Sequence, residues 1–354
     1  MNIIIDKDFE GGNIVVKSID GFDVYVEQEI RDTTEWWFYF SFRAKALKEG
    51  TYYFHFCNRE VISKFGPAIS LDGDNYFFDE STFVDHATFK MFIKEGQTVY
   101  FAFSYPYRTK DFSRFFLRNP YLQSIEMKEK TNRGRSQFVY TFGNPNGAYF
   151  SLSARHHSCE TCASYVLEGF IEQIHQTKLV DKYLFSVIPF VDLDGVVDGD
   201  QGKSRAPHDH NRDYLDKPIY SSIRYITNTY HNNLAYFLDF HCPGKWGGIH
   251  DYLSIIEGDE TLSERQKQYS KILEKYQTKG IPYSQEHNIE YLAYWNLPSA
   301  NGRSFFVKEK IKLGFTLEVP YFGEREKPYS IEELRELGRN MALAIVEFDD
   351  NLKL

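Results

Sequence analysis

Ala154-Arg155-His156-His157-Ser158-Cys159-Glu160-Thr161 is the stretch on which the fold turns. It follows a strand-like run, 147–153, and opens into a segment, 162–174, whose apolar residues recur at helical spacing. An imidazole and a carboxylate three residues apart at a strand-to-helix turn can point onto one metal ion, and zinc suits that pair. A zinc site with two nitrogens and one carboxylate needs a second histidine from elsewhere, and it keeps a fourth position open for water.

The best donor is His241. It ends Leu234-Ala235-Tyr236-Phe237-Leu238-Asp239-Phe240, a run apolar enough for a buried strand, and open α/β sheets place their sites at the carboxyl ends of strands. Gly314-Phe315-Thr316-Leu317-Glu318-Val319 repeats the pattern with one carboxylate, Glu318, that has no obvious structural task. Between these segments lies Asp209-His210-Asn211-Arg212-Asp213-Tyr214. Its Asn211-Arg212 pair offers an amide donor and a bidentate guanidinium to a carboxylate.

The order HxxE, DxNR, strand-end His and TLE resembles the M14 family of zinc metallocarboxypeptidases, and the cytosolic carboxypeptidase branch in particular. There the zinc segment reads A-R-x-H-P-G-E-T, which Ala154, Arg155, His157, Glu160 and Thr161 match. The alignment selects His157, not His156, as ligand. The resemblance implies one Zn2+ per chain on His157, Glu160 and His241, with Glu318 as general base. It also implies that Asn211 and Arg212 hold the terminal carboxylate of a peptide or protein substrate, while Asp209 or Asp239 orients a ligand histidine from behind. The arginine that the family aims at the developing oxyanion aligns with Gly202. Lys203 is the nearest replacement and Arg205 the second, although an ammonium cannot form a planar fork. Ser158-Cys159 stands where Pro-Gly is common, and Cys242-Pro243 is a less usual continuation after His241. Tyr291 and Tyr294 precede Glu318 at a plausible distance for the family's closing tyrosine, and neither is singled out among 26 tyrosines. The alternative reading is a zinc amidohydrolase acting on N-acyl amino acids or cell-wall peptides, which would keep the zinc set and use Arg212 for a substrate carboxylate.

Working outward, 354 residues are natural for two domains, and 42% hydrophobic residues supply a sizeable core to each. Aromatics at 17% are abundant enough to fill sheet cores and to line a groove. The net charge of -9, with no Lys/Arg-rich run, argues against a nucleic-acid partner. No apolar run reaches the roughly 18 residues of a membrane span, and Met1-Asn2-Ile3-Ile4-Ile5-Asp6 does not resemble a cleaved leader, so the cytoplasm is the expected location. Of four cysteines only Cys159 and Cys162 form a CxxC. It overlaps the HxxE and lacks the second CxxC of a zinc ribbon, so both are read as small helix-start residues.

The runs 13–17, 22–28, 34–42, 51–56, 88–93 and 97–104 alternate as strands do and predict an all-β sandwich over residues 1–118. Trp37-Phe38-Tyr39-Phe40, the segment 53–58 and the segment 99–107 resemble the β-sandwich that precedes the catalytic domain in cytosolic carboxypeptidases. A helix is expected over 111–129, and a first strand of the second domain over 133–141. Residues 119–354 then alternate: helix 162–176, strand 184–189, helix 220–232, strand 234–241, helix 262–277, strand 312–319 and helix 331–348. That order implies an α/β catalytic domain whose mixed sheet is covered by helices on both faces. The Gly- and Asp-rich loop 191–212 is long enough to be functional. Its acids do not have EF-hand spacing, which argues against calcium.

Overall fold

Ten short strands precede the first long helix in the computed structural model, which describes residues 2–33, 35–230, 232–276, 280–306 and 311–352. They are β1 (Ile3–Asp6), β2 (Val15–Asp20), β3 (Asp23–Glu27), β4 (Ser41–Ala46), β5 (Gly50–Phe56), β6 (Ala68–Ser70), β7 (Phe77–Phe78), β8 (Phe83–Asp85), β9 (Thr88–Ile93) and β10 (Thr98–Ala102). Two five-stranded sheets result, in the orders β1-β4-β10-β6-β7 and β2-β3-β5-β9-β8. Along β5 the period of two is plain: Tyr52, Phe54 and Phe56 are buried while Thr51 and Tyr53 are exposed. Phe42, Phe54, Phe89 and Phe101 meet with centroids 4.7–5.7 Å apart and form the aromatic filling between the sheets.

The run 34–42 departs from expectation, because the strand begins only at Ser41. Side chains take most of the places a neighbouring strand would fill: Gln28 donates to Trp37 O, and Gln201 both accepts from Tyr39 N and donates to Tyr39 O, while Phe103 N donates to Phe40 O. The helix expected over 111–129 is α1 (Thr109–Arg118) and stops there. Asn119 caps it and Pro120 cannot continue it, so β11 (Gln123–Glu126) follows as a strand. The strand expected from residue 133 starts at Phe138, after a turn centred on Gly134 at φ 82°. Thr34, His231 and Gln277, inside an expected strand and at the ends of two expected helices, lie outside the described residues.

The second sheet system runs through β11, β12 (Phe138–Gly143), β13 (Ala148–Ala154), β14 (Tyr183–Ile188), β15 (Leu234–His241), β16 (Ser254–Ile256) and β17 (Leu313–Glu318). Their spatial order is β11-β12-β14-β13-β15-β17-β16, with β14, β13, β15 and β17 parallel and the outer strands antiparallel. The chain reverses its direction of growth at β13, and such a switch point opens a crevice at the carboxyl ends of the strands on either side. Helices α2 (Cys162–Ile174), α5 (Glu260–Tyr276) and α7 (Ile331–Asn351) bury the face that carries Leu152, Leu238 and Phe315. Helices α4 (Ser221–Tyr230) and α6 (Gly302–Phe306) cover the face that carries Phe237. Alternation along β15 puts Asp239 and His241 on the same side as Phe237. The loop expected at 191–212 contains a short helix, α3 (Leu193–Asp198), started by Asp192 Oδ1 accepting from Gly195 N and ended by Gly199 at φ 74°.

Helices α2 and α7 touch through glycine. A Cβ at Gly169 would stand 1.9 Å from Arg335 O, and one at Gly338 would stand 2.0 Å from Val166 O. Gly169→Ala and Gly338→Ala should each lower the thermal unfolding midpoint, by a destabilisation of about 1–3 kcal/mol, because backbone cannot yield as a flexible side chain does. Calorimetry showing unchanged midpoints would contradict this packing.

Candidate metal centre and active site

The turn after β13 is held by its own arginine. Arg155 adopts a left-handed backbone conformation at φ 62°, and its buried guanidinium donates to Ser158 O and to Tyr107 O. That turn aims His157 and Glu160 at the end of β15, where His241 pairs in register with Glu318 of β17. His157 Nδ1 lies 2.8 Å from Glu160 Oε1, and His241 Nδ1 lies 2.8 Å from Glu160 Oε2. One ligand atom from each of the three falls within 4.8 Å of the others.

The far nitrogens of both imidazoles face carboxylates. His241 Nε2 is 2.7 Å from Asp239 Oδ2, and His157 Nε2 is 3.5 Å from Asp209 Oδ1. Each imidazole thus has a carboxylate at both nitrogens, and against the effect of burial these carboxylates raise both histidines. With a cation in place, each Nε2 would keep its proton toward Asp209 or Asp239 and each Nδ1 would turn its lone pair to the ion. Buried Glu160 Oε2 and Glu318 Oε2 have no hydrogen-bond donor. Orphaned carboxylate oxygens are expensive in a protein interior, and a cation between two nitrogen lone pairs would satisfy them. The residues therefore fit a zinc ion with two nitrogens and one carboxylate.

Burial opposes ionisation of Glu160, yet Lys203, His157 and His241 hold its carboxyl well below the usual range. Burial and the neighbouring Glu160 charge push Glu318 up to about 7. Lys203 Nζ is 2.7 Å from Glu160 Oε1 and donates to Cys242 O and Pro243 O at 3.0 Å. All three of its protons are committed in this arrangement, and Lys203 lines the cleft as a counter-charge to Glu160. Arg205 does not reach the cleft. Its guanidinium contacts Asp32, Asp192 and Asp200 at 2.7–3.3 Å, behind the loop.

The loop carrying Lys203 is clasped by the amino-terminal sheets. Asp32 accepts from Gln201 N and Gly202 N at 3.0 and 2.8 Å, Asn13 donates to Gly199 O at 2.7 Å, and Gly11 N donates to Val197 O at 2.9 Å. Trp37 lies under Lys203, with Nζ 5.1 Å from its ring centroid, and lines the cleft.

The cleft encloses about 380 Å3 and is lined by His157, Glu160, His241 and Glu318 together with Asn211 and Arg212. Arg212 Nη1 donates to Asn211 O, and Asn211 Oδ1 lies 3.4 Å from Gly302 N. Sequence reading missed Arg303 of α6, which is 4% exposed and faces the same cleft. Its terminal nitrogens donate to Ile256 O and Asn296 Oδ1, its Nε has no partner, and burial lowers it to about 10. The available signal was a charged residue beside Phe305-Phe306. Trp295 and His250 also line the cleft and stack on each other, while Tyr291 and Tyr294 do not line it.

No family model matches the sequence. The chain is 22% identical over 382 residues to an uncharacterized Zymomonas mobilis protein, covering 100% of this chain and 98% of that one. It is 24% identical over 291 residues to mouse cytosolic carboxypeptidase 2, covering 73% of this chain and 33% of the mouse protein. A Plasmodium falciparum putative zinc carboxypeptidase is 27% identical over 192 residues, 49% of this chain and 11% of that protein. The chain thus spans about a third or less of the length of these two named relatives. Among solved structures, a metallo-carboxypeptidase from Burkholderia cenocepacia superposes with a TM-score of 0.80 at 18% identity, covering 100% of both chains. One from Pseudomonas aeruginosa, in complex with (2-guanidinoethylmercapto)succinic acid, gives 0.79 at 18% identity over 99% of this chain and 100% of that one. The fold is the metallo-carboxypeptidase fold, with the sheet-rich amino-terminal part included, and the named relatives are carboxypeptidases.

The raised Glu318 gives a signed prediction for the metal-free protein. Its folded value near 7 lies above the unfolded carboxyl value, so the folded state loses stability as pH rises from the ordinary Glu range to about 7 and levels off beyond. Glu318→Gln cannot lose that proton. The stability advantage of the variant over wild type, from urea unfolding with a chelator present, should grow between about pH 4.5 and 7. An advantage independent of pH would contradict the assignment.

Proposed function

We propose that this protein is a zinc-dependent metallocarboxypeptidase that removes the terminal residue of a peptide or protein by hydrolysis. The observation that carries the reading is the convergence of His157 Nδ1, Glu160 and His241 Nδ1 beside Glu318, with two buried carboxylate oxygens lacking any donor. The similarity to proteins named carboxypeptidases supports it. We read the chain as two units, a sandwich over 1–118 and a catalytic unit over 119–354, and we place the protein in the cytoplasm by the same likeness. Among the described residues no helix is long and apolar enough to cross a membrane.

In this reading His157, Glu160 and His241 hold one zinc ion, which supplies Lewis acidity and an acidified water. Asp209 and Asp239 keep the two histidines in the ligating tautomer. Glu318, poised near neutrality, accepts a proton from the attacking water and returns it to the leaving amine. Asn211 and Arg212 bind the substrate's terminal carboxylate. That leaves Arg303 as a second buried guanidinium with a free Nε facing the cleft, and a terminal residue with an acidic side chain matches it best.

Glu318→Gln should retain one zinc per chain by elemental analysis and lose turnover by about a hundredfold or more, the scale of general-base catalysis. A rate within a few-fold of wild type would move the base elsewhere.

The substrate assignment predicts release of single residues from free C-termini, fastest for terminal glutamate or aspartate, with amidated counterparts almost untouched. A buried guanidinium left without its partner costs several kcal/mol, so loss of the terminal charge is not tolerated. Mass spectrometry of matched free and amidated peptides ending in Glu, Leu or Lys is the comparison. Equal cleavage of free and amidated forms would favour the amidohydrolase alternative, and equal rates across the three terminal residues would remove Arg303 from substrate selection.

A further inference from the structure

Behind the proposed zinc ligands runs a second, fully buried set of polar groups. Tyr214 Oη lies 2.8 Å from His156 Nε2, and His156 Nδ1 lies 2.9 Å from Asp239 Oδ1 in a bent approach off the N–H line. Asp239 Oδ2 lies 2.7 Å from His241 Nε2. Rings of His156 and His241 stack with centroids 5.4 Å apart at 15°. Every member is 5% exposed or less, so water cannot substitute for a missing partner.

We propose that His156 is a positioning residue for the metal centre: through Asp239 it fixes the orientation of His241, and through Tyr214 it ties that ligand to the segment that carries Asn211 and Arg212. The direction of donation follows from the chemistry. Asp239 accepts only, so His156 Nδ1 and His241 Nε2 both carry hydrogen toward it, and His156 Nε2 must then accept from the Tyr214 hydroxyl. Ser153 Oγ also donates to Asp239 Oδ1 at 2.9 Å, which anchors the carboxylate but does not bear on its rotation toward His241 as a flat, stacked imidazole does. His156 does not line the cleft, so it acts on the site only through the groups it touches, Asp239, Tyr214 and the stacked His241 ring.

The inference rests on the proposed zinc site, and its test separates the two. Zinc affinity of the full-length protein is measured by competition with a chromophoric chelator, with circular dichroism confirming the fold. His156→Ala should bind zinc about 10–100-fold more weakly. His156→Asn keeps a donor at the Nδ1 position and should restore affinity to within a few-fold of wild type. His156→Gln places its amide at the Nε2 position, reaches Tyr214 instead of Asp239, and should stay as weak as alanine. Wild-type affinity in His156→Ala, or equal affinities for the Asn and Gln variants, overturns the proposal; the Asn and Gln pair decides the matter alone if the alanine variant does not fold. A wild-type protein that holds no zinc overturns the ligand assignment itself.

Discussion

Two carboxylates buried side by side at the end of a parallel sheet set the terms for everything near them. Glu160 and Glu318 are both almost inaccessible, and register places Glu318 beside His241 and so against Glu160's own partner. Two like charges at about 4 Å repel by about 4 kcal/mol at the effective dielectric of such sites, so counter-charge must be built in. Lys203 and two imidazoles supply it for Glu160, and Glu318 is left poised between its protonated and ionised forms. The neighbourhood of the proposed base is thus created by a structural need, the neutralisation of a buried acid.

Legibility in the sequence followed the physics of each element. β13, β15 and β17 are buried on both faces and read as near-continuous apolar runs, which is why their ends were legible, while the choice of His157 over His156 there came from the family resemblance. The run 35–40 misled because its aromatic alternation is that of a strand, while the backbone of Trp37 and Tyr39 is bonded by the side chains of Gln28 and Gln201, the latter more than 160 residues away. Arg205 and Lys203 sit two residues apart on one loop, and spacing alone could not say that one turns to the aspartates behind it and the other to the cleft. Arg303 was invisible for a related reason: its place in the cleft depends on a wall whose short helix carries no motif.

Likeness at 18% identity over whole chains shows how few residues the fold needs to keep for its shape. In this chain the turn after β13 is locked by Arg155 at a positive φ that only a well-tethered residue sustains. The aromatic surplus found in the composition fills the space between the amino-terminal sheets and the core of the carboxy-terminal sheet, and it also reaches the walls of the cleft, where Trp37 and Trp295 face the site from distant segments.

The clasp that Asn13, Gly11 and Asp32 form around residues 197–202 gives the amino-terminal sheets a role beyond bulk. The loop they grip delivers Lys203, and it is tied from the other side by Asp200 N donating to Gly195 O and by Ser158 Oγ donating to Asp200 O. The sandwich works as a jig: it sets the position of a charge in a cleft to which it contributes one wall and none of the ligand candidates. A chain reduced to its carboxy-terminal part would keep every ligand candidate and lose the tool that keeps the counter-ion in register, so the two parts make one machine.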